Sequence, residues 1–178
     1  MGVAKPDQEL ERVLSAHAAV LSRIAASYES RPALREELLQ DIAFAIWRAL
    51  PTFRGESSEQ SFVLRIATNR AISHLAARQP EKGTHPFAAD GTKGCDSFEN
   101  VVDPMPRPDE LAARHQGAER LQRAVRALPL PLRQVVVLTF EGLDHEESAR
   151  VLGITAGNVA VRLHRGKNLL KQMLGGPT

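Results

Sequence analysis

Residues 144–171 read DHEESARVLGITAGNVAVRLHRGKNLLK, and this stretch decides how the C-terminal part of the chain folds. It predicts two helices separated by a tight turn. Asp144 is placed to cap the first helix, and Glu147 three residues on completes a capping box that satisfies two orphan backbone donors. Ala149 and Leu152 fall on the inner face of that helix, and Gly153 offers the positive φ that ends it. Ile154 plugs the corner, and Thr155 caps the second helix. Along that helix Ala156, Val159, Ala160, Leu163, Leu170, Met173 and Leu174 make an apolar stripe at helical spacing. Asn158, Arg162 and Arg165 point the other way. A short helix, a glycine turn and a capped helix with outward Asn and Arg form a helix-turn-helix whose second helix fits a DNA major groove.

Periodicity alone also fits an ordinary helical hairpin with a solvated basic face. Charge placement separates the two. After Glu147 the chain carries no acidic residue, yet it holds Arg150, Arg162, Arg165, Lys167 and Lys171. A merely solvated face mixes signs to gain i,i+4 pairs, whereas a single sign suits a polyanion.

The charge is uneven along all 178 residues. Residues 1–80 are near neutral at net +1, residues 81–120 are net −3, and residues 121–178 are net +4. The modest overall +2 therefore hides a basic C-terminal module beside an acidic connector. A hydrophobic content of 43% is ample for two small helical cores. The single cysteine, Cys95, excludes an internal disulfide framework and fits a reducing compartment. No basic cluster surrounds it in sequence to activate the thiol, so it reads as incidental. No run of about 18 apolar residues appears, so membrane insertion is not expected.

Three helices are expected in the first 80 residues. The first, about residues 7–28, carries Leu10, Val13, Leu14, Ala18, Leu21 and Ala25 on one stripe. The second runs from about 32 to 50, with Pro32 in its first turn and Pro51 after its end; Leu38, Ile42, Ala45, Ile46 and Ala49 form its stripe. Gln40, Asp41, Phe44 and Trp47 lie on a different arc, although helical aromatics are more often core than surface. The third, about 58–78, packs through Phe62, Ile66 and Ile72, after a polar loop FRGESSEQ at 53–60. Residues 80–108 hold Pro80, Pro86, Pro104, Pro106, Pro108, Gly83, Gly91 and Gly94 without sustained periodicity, which makes them a linker. A fourth helix is expected over about 109–127 and a fifth over 132–141; VVVL (135–138) is β-prone by itself, but its flanks favour a buried helix. The fold expected is all-α: two small helical domains, 1–79 and 109–178, joined by the linker 80–108.

Catalytic chemistry finds no support. The six histidines form no metal-binding pair, and the chain has neither a phosphate-cradling glycine loop nor a nucleophile elbow. We expect no catalytic residues, no metal and no cofactor.

Two stretches together resemble a known family. LPLPLRQVVVLTFEGL (128–143) followed by the hairpin is similar to region 4 of bacterial sigma-70 factors, which reads the promoter −35 element. Residues 36–78 resemble region 2, through Leu38, Gln40, Asp41, Phe44 and Trp47 and then Phe62, Val63, Ile66, Ala67 and Asn69. The short length, with nothing like regions 1.1 or 3, points to the extracytoplasmic-function (ECF) group. The resemblance implies a cytoplasmic protein that binds core RNA polymerase and promoter DNA, often under an anti-sigma factor. It implies polymerase docking through Gln40, Asp41, Phe44 and Trp47, and capture of the non-template −10 strand through Arg54, Ser57, Ser58, Arg65, Asn69, Arg70, His74 and Arg78. It also implies −35 contacts from Thr155, Gly157, Asn158, Val161, Arg162, Arg165 and Lys167, with Asn158 and Arg162 suited to base-edge readout. The chain departs from the family pattern at Ala160, where a basic residue is usual, at Ser148, usually Ile, and at Ser73 and Ala76. Two other readings stay open: a sigma-like module that sequesters a regulator without driving transcription, and a conventional helix-turn-helix regulator.

Overall fold

A computed structural model describes residues 6–78 and 108–175. Cys95 and all but the last residue of the expected linker lie outside the described residues. Within them every regular element is helical: α1 (Pro6–Tyr28), α2 (Pro32–Ala49), α3 (Glu59–Arg78), α4 (Pro108–Ala127), α5 (Leu130–Phe140), α6 (His145–Leu152) and α7 (Ala156–Leu174). A 3-10 turn, Leu50–Thr52, extends α2 where Pro51 bars a further α-helical bond.

The N-terminal half is a three-helix unit with α1, α2 and α3 in mutual contact. α2 buries Leu38, Ile42, Ala45 and Ile46, as its periodicity predicts. α1 departs from its expected stripe: Ala18 is exposed, while Ile24 and Tyr28 are buried. The C-terminal part of α1 is enclosed more widely because α4, as well as α2 and α3, packs on this helix. α3 departs further. Ser61, Phe62, Val63 and Leu64 are all buried in succession, and the expected anchors Ile66 and Ile72 are only half-buried. A helical turn buried all round loses its amphipathic period, and α3 touches α1, α2 and α6.

In the C-terminal half α5 begins at Leu130, two residues before its expected start. Pro129 is its N-cap and Pro131 sits in the first turn, where a missing N–H breaks no helical bond. Val135, Val136, Val137 and Leu138 are all buried, so tertiary packing overrides their β preference. Each such side chain contributes about 1.5–3 kcal/mol when fully withdrawn from water. Glu141 closes α5, and Gly142 at φ 87° turns the chain towards α6.

The hairpin forms as its caps dictate. The Glu147 N–H donates to Asp144 Oδ1 at 2.8 Å, and the Asp144 N–H donates to Glu147 Oε2 at 3.2 Å. Gly153 ends α6 at φ 65°, and the Ile154 N–H reaches back to the Ala149 carbonyl at 3.1 Å. The Asn158 N–H donates to Thr155 Oγ1 at 3.2 Å, which caps α7. α7 buries Val159, Leu163, Gly166 and Leu170 and packs on α4, α5 and α6. Gly166 extends the apolar stripe by having no side chain at all: a Cβ there would stand 2.7 Å from Val136 Cγ2.

The two halves meet. α1 packs on α4 and α3 on α6, and the buried side chains of both halves run together as one core.

Candidate functional site

The α7 surface is set by its two anchors, the Thr155 cap and the buried stripe against α4, α5 and α6. Thr155, Gly157, Asn158 and Arg165 are exposed, Val161 is half-exposed at 50%, and Arg162 is half-buried. Asn158, Val161, Arg162 and Arg165 follow i, i+3, i+4 and i+7 spacing and so share one face. Arg162, Arg165 and Lys167 form no ion pair among the described residues, which leaves their charge available to phosphate. Lys167 belongs to a different arc. It lines a cleft of about 560 Å³ with Leu143, Asp144, His145, Glu146 and Leu163, on the side where the hairpin begins.

The residues assigned to −10 strand capture do not all share one surface. Arg54, Ser57 and Arg65 come together on a second cleft, of about 520 Å³, with Phe53 and Phe62 stacked behind them at 4.7 Å between ring centroids. The Arg65 guanidinium lies over the Phe62 ring at 5.8 Å. Asn69 and Arg70 continue exposed along α3. Three expectations change. Ser58 is exposed but spends its hydroxyl on the start of α3, accepting from the Ser61 N–H at 3.1 Å and donating to Ser61 Oγ at 2.9 Å. Arg78 is tied to Glu29 at 3.1 Å. His74 is buried, with Nε2 3.5 Å from Glu29 Oε2, so it cannot meet an extruded base on the surface. A helix buried on several sides takes inward residues that its sequence shows as polar. Burial acts to raise the Glu29 carboxyl, but hydrogen bonds from the Arg31 backbone N–H and side chain outweigh it and hold it below the usual carboxylate range.

On α2, Phe44 is 56% exposed and Trp47 44% exposed, so the general expectation that they join the core is overturned. The opposite face of α2 is filled by Leu38, Ile42, Ala45 and Ile46, and this leaves no inward position for them. Their rings stack at 5.6 Å, with Arg48 over Phe44 at 6.0 Å, and Gln40 and Asp41 are exposed on the same helix. The exposed aromatic pair makes an apolar patch on an otherwise well-packed helix.

Several interactions across the two halves had no local signal in the sequence. Arg23 on α1 donates twice to the Glu141 carboxylate, at 3.0 and 2.6 Å, and Gln60 Nε2 donates to the Glu141 carbonyl at 2.7 Å. Ser61 Oγ donates to Glu147 Oε1 at 3.2 Å, and Arg126 donates to the Ala26 carbonyl at 3.0 Å. Pairings 81–118 residues apart obey no helical or strand period, so only the assembled fold shows them. Among the described residues no three or more His, Cys, Asp or Glu gather as a metal site, and no helix is long and apolar enough to cross a membrane.

Known proteins match this architecture. Residues 13–81 match Sigma-70 region 2 and residues 118–170 match Sigma-70, region 4. The ECF RNA polymerase sigma factor SigX of Bacillus subtilis is 30% identical over 138 residues, 77% of this chain and 69% of that protein. The RNA polymerase sigma-H factor of Pseudomonas aeruginosa is 29% identical over 143 residues, 78% of this chain and 72% of that one. Among solved structures, the sigma factor RpoE in complex with the anti-sigma factor NepR from Bartonella quintana superposes with a TM-score of 0.67 at 21% identity, covering 97% of this chain and 98% of that one. CnrH in complex with the cytosolic domain of CnrY gives the same TM-score and identity over 97% of this chain and 91% of that one. Two regions in the family's order and a relative 30% identical across three-quarters of the chain place it: it belongs to the ECF group of sigma-70 factors, proteins that direct transcription initiation and are not themselves enzymes.

Proposed function

We propose that the three exposed surfaces divide the work of a sigma factor. The outer face of α7 reads the −35 element, with Asn158 and Arg162 at base edges and Arg165 on phosphate, while Lys167 reaches a phosphate from its separate arc. Arg54, Ser57, Arg65, Asn69 and Arg70 hold the unpaired −10 strand, with Ser58 and Arg78 as structural supports of that surface. Gln40, Asp41, Phe44 and Trp47 dock on core RNA polymerase, which supplies all covalent chemistry. Residues 1–79 and 109–178 act as two units connected through 80–108, in the cytoplasm, with an anti-sigma factor as the natural regulator.

The observation that carries this reading is the doubly capped hairpin whose outward Asn158, Arg162 and Arg165 have no acidic neighbour on their own helix. The test is transcription in vitro with purified core polymerase from a selected promoter pool, beside a titration of core binding. Gln40→Ala with Asp41→Ala should weaken core binding while shifting stability by no more than about 0.5 kcal/mol, because both side chains are exposed. Unaltered core affinity would remove the α2 assignment, and no promoter-dependent transcript from the wild-type chain would favour a sigma-like sequestering module.

A further inference from the structure

α7 carries one apolar side chain that the fold gives little to pack on. Val161 is 50% exposed, one of four large hydrophobic residues that stand in water among the described residues, with Phe44, Trp47 and Phe140. At about 100° per residue, the buried Val159, Leu163, Gly166 and Leu170 all lie about 140–180° around the helix from Val161. Val161 therefore stands at the summit of the outer face. Asn158 and Arg165 flank it within about 60°, and the half-buried Arg162 sits nearer the edge, at about 100°.

The summit is open. Gly157, one turn earlier, has no side chain, and a Cβ there would meet no atom within 4 Å. On the other flank the exposed His164 and Asn168 are bonded to each other at 3.1 Å. Valine is also a poorer helix former than alanine, so neither burial nor propensity accounts for it at this position. Its exposed neighbours are polar or cationic, so no apolar patch continues from it to seat a protein partner. The face offers a single stiff aliphatic group set beside a side-chain amide and guanidinium groups.

Resting on the reading of α7 as the −35 helix, we infer that Val161 selects a thymine in that element by packing on its 5-methyl group. In the major groove thymine alone presents a methyl group; the other bases present donors and acceptors, which an aliphatic side chain strips of water without replacing it. Val161 has no polar side-chain atom, so the methyl is the one base-edge group it can favour. Its β-branch fixes χ1 on a helix, and little rotamer freedom is lost when its own methyl groups are covered. The helical rise sets Val161 about 4.5 Å along the axis from Asn158 and about 6 Å from Arg165, against about 3.4 Å per base pair. The thymine therefore lies one or two base pairs from the positions those side chains face. Withdrawing one methyl group from water is worth about fourfold in affinity.

The test uses the full chain assembled with purified core polymerase, on the promoter that this holoenzyme selects from a random pool. Each dT of the −35 element, on either strand, is replaced in turn by dU, which removes the methyl group and leaves every donor and acceptor in place. One replacement should weaken wild-type binding by about fourfold in competition. Val161→Ala should weaken binding to the unmodified element by a similar factor with no loss of Tm, and the same dU should then cost nothing. Val161→Ile, which keeps an aliphatic β-branch, should keep the sensitivity to dU. A selected element without thymine, a wild type indifferent to every dU, or equal dU losses in wild type and Val161→Ala overturns the methyl contact. Where the wild type still prefers its −35 element in those cases, the reading of α7 stands. Equal binding of selected and scrambled −35 sequences overturns that reading, and the methyl contact with it.

Discussion

Gly166→Ala offers a sharp test of how α7 is seated. In an exposed helix interior the exchange would be favourable by about 1 kcal/mol, since glycine carries the greater backbone entropy. Here Gly166 is buried against α5, and the new Cβ would stand 2.7 Å from Val136 Cγ2. Carbon atoms are comfortable at about 3.5–4.0 Å, so a separation of 2.7 Å requires a movement approaching 1 Å. Val136 is 1% exposed, β-branched and stiff, and it lies in an unbroken run of buried residues, Val135–Leu138, so its methyl group has little room to yield. Overpacking of this kind costs about 1–3 kcal/mol. With the helix gain subtracted, and the upper part of that range expected for so stiff a neighbour, the variant should lose about 1–2 kcal/mol. That corresponds to a fall in Tm of about 2–8 °C for a chain of this size. Chemical denaturation and thermal melting would measure it, and the double variant with Val136→Ala isolates the cause. Relief of the contact should make the double variant more stable than the sum of the two single losses, by about 1 kcal/mol or more. A rise in stability for Gly166→Ala alone, or strict additivity with Val136→Ala, would refute the close approach of α5 and α7.

Other expectations follow from single features. Ser148 is fully buried and its hydroxyl has no hydrogen-bond partner, so Ser148→Ala should raise stability by about 1 kcal/mol in urea denaturation; a loss would mean that the hydroxyl is satisfied. Glu59 is held below the usual carboxylate range, first by its hydrogen bond from Arg12 and then by that from His17, against the opposing effect of burial. A depressed carboxylate stabilises the fold above its unfolded value near 4.5 and ceases to do so as pH falls through the folded value, so stability should drop in that acid window, with a shallower slope for Glu59→Gln. In binding of promoter DNA, Arg162→Ala should cost about 1–3 kcal/mol and relax preference at one base, whereas Lys167→Ala should weaken all sequences alike and reduce the salt slope by about one. An Arg162→Ala chain with unchanged base preference would show that this face does not read bases.

The sequence by itself determined the local elements. Asp144, Glu147, Gly153 and Thr155 specify the hairpin because capping bonds and a positive φ act within three or four residues, and all of them form. The α2 stripe and the order of seven helices were legible for the same reason, as were the two family regions. Tertiary structure decided what enclosure does to a residue. It decides between core and surface for Phe44 and Trp47, which the sequence placed off the apolar stripe: both are exposed, because Leu38, Ile42, Ala45 and Ile46 already fill the inner face. It alone turns His74 inward to Glu29, on a helix buried too widely to show a period. The seating of Gly166 on Val136 and the bonding of Arg23 to Glu141 depend on which helices become neighbours, and that choice is made by the whole core. Caps and stripes are energies between residues a turn apart; burial and ion pairing across halves are energies between residues that only the finished fold brings together.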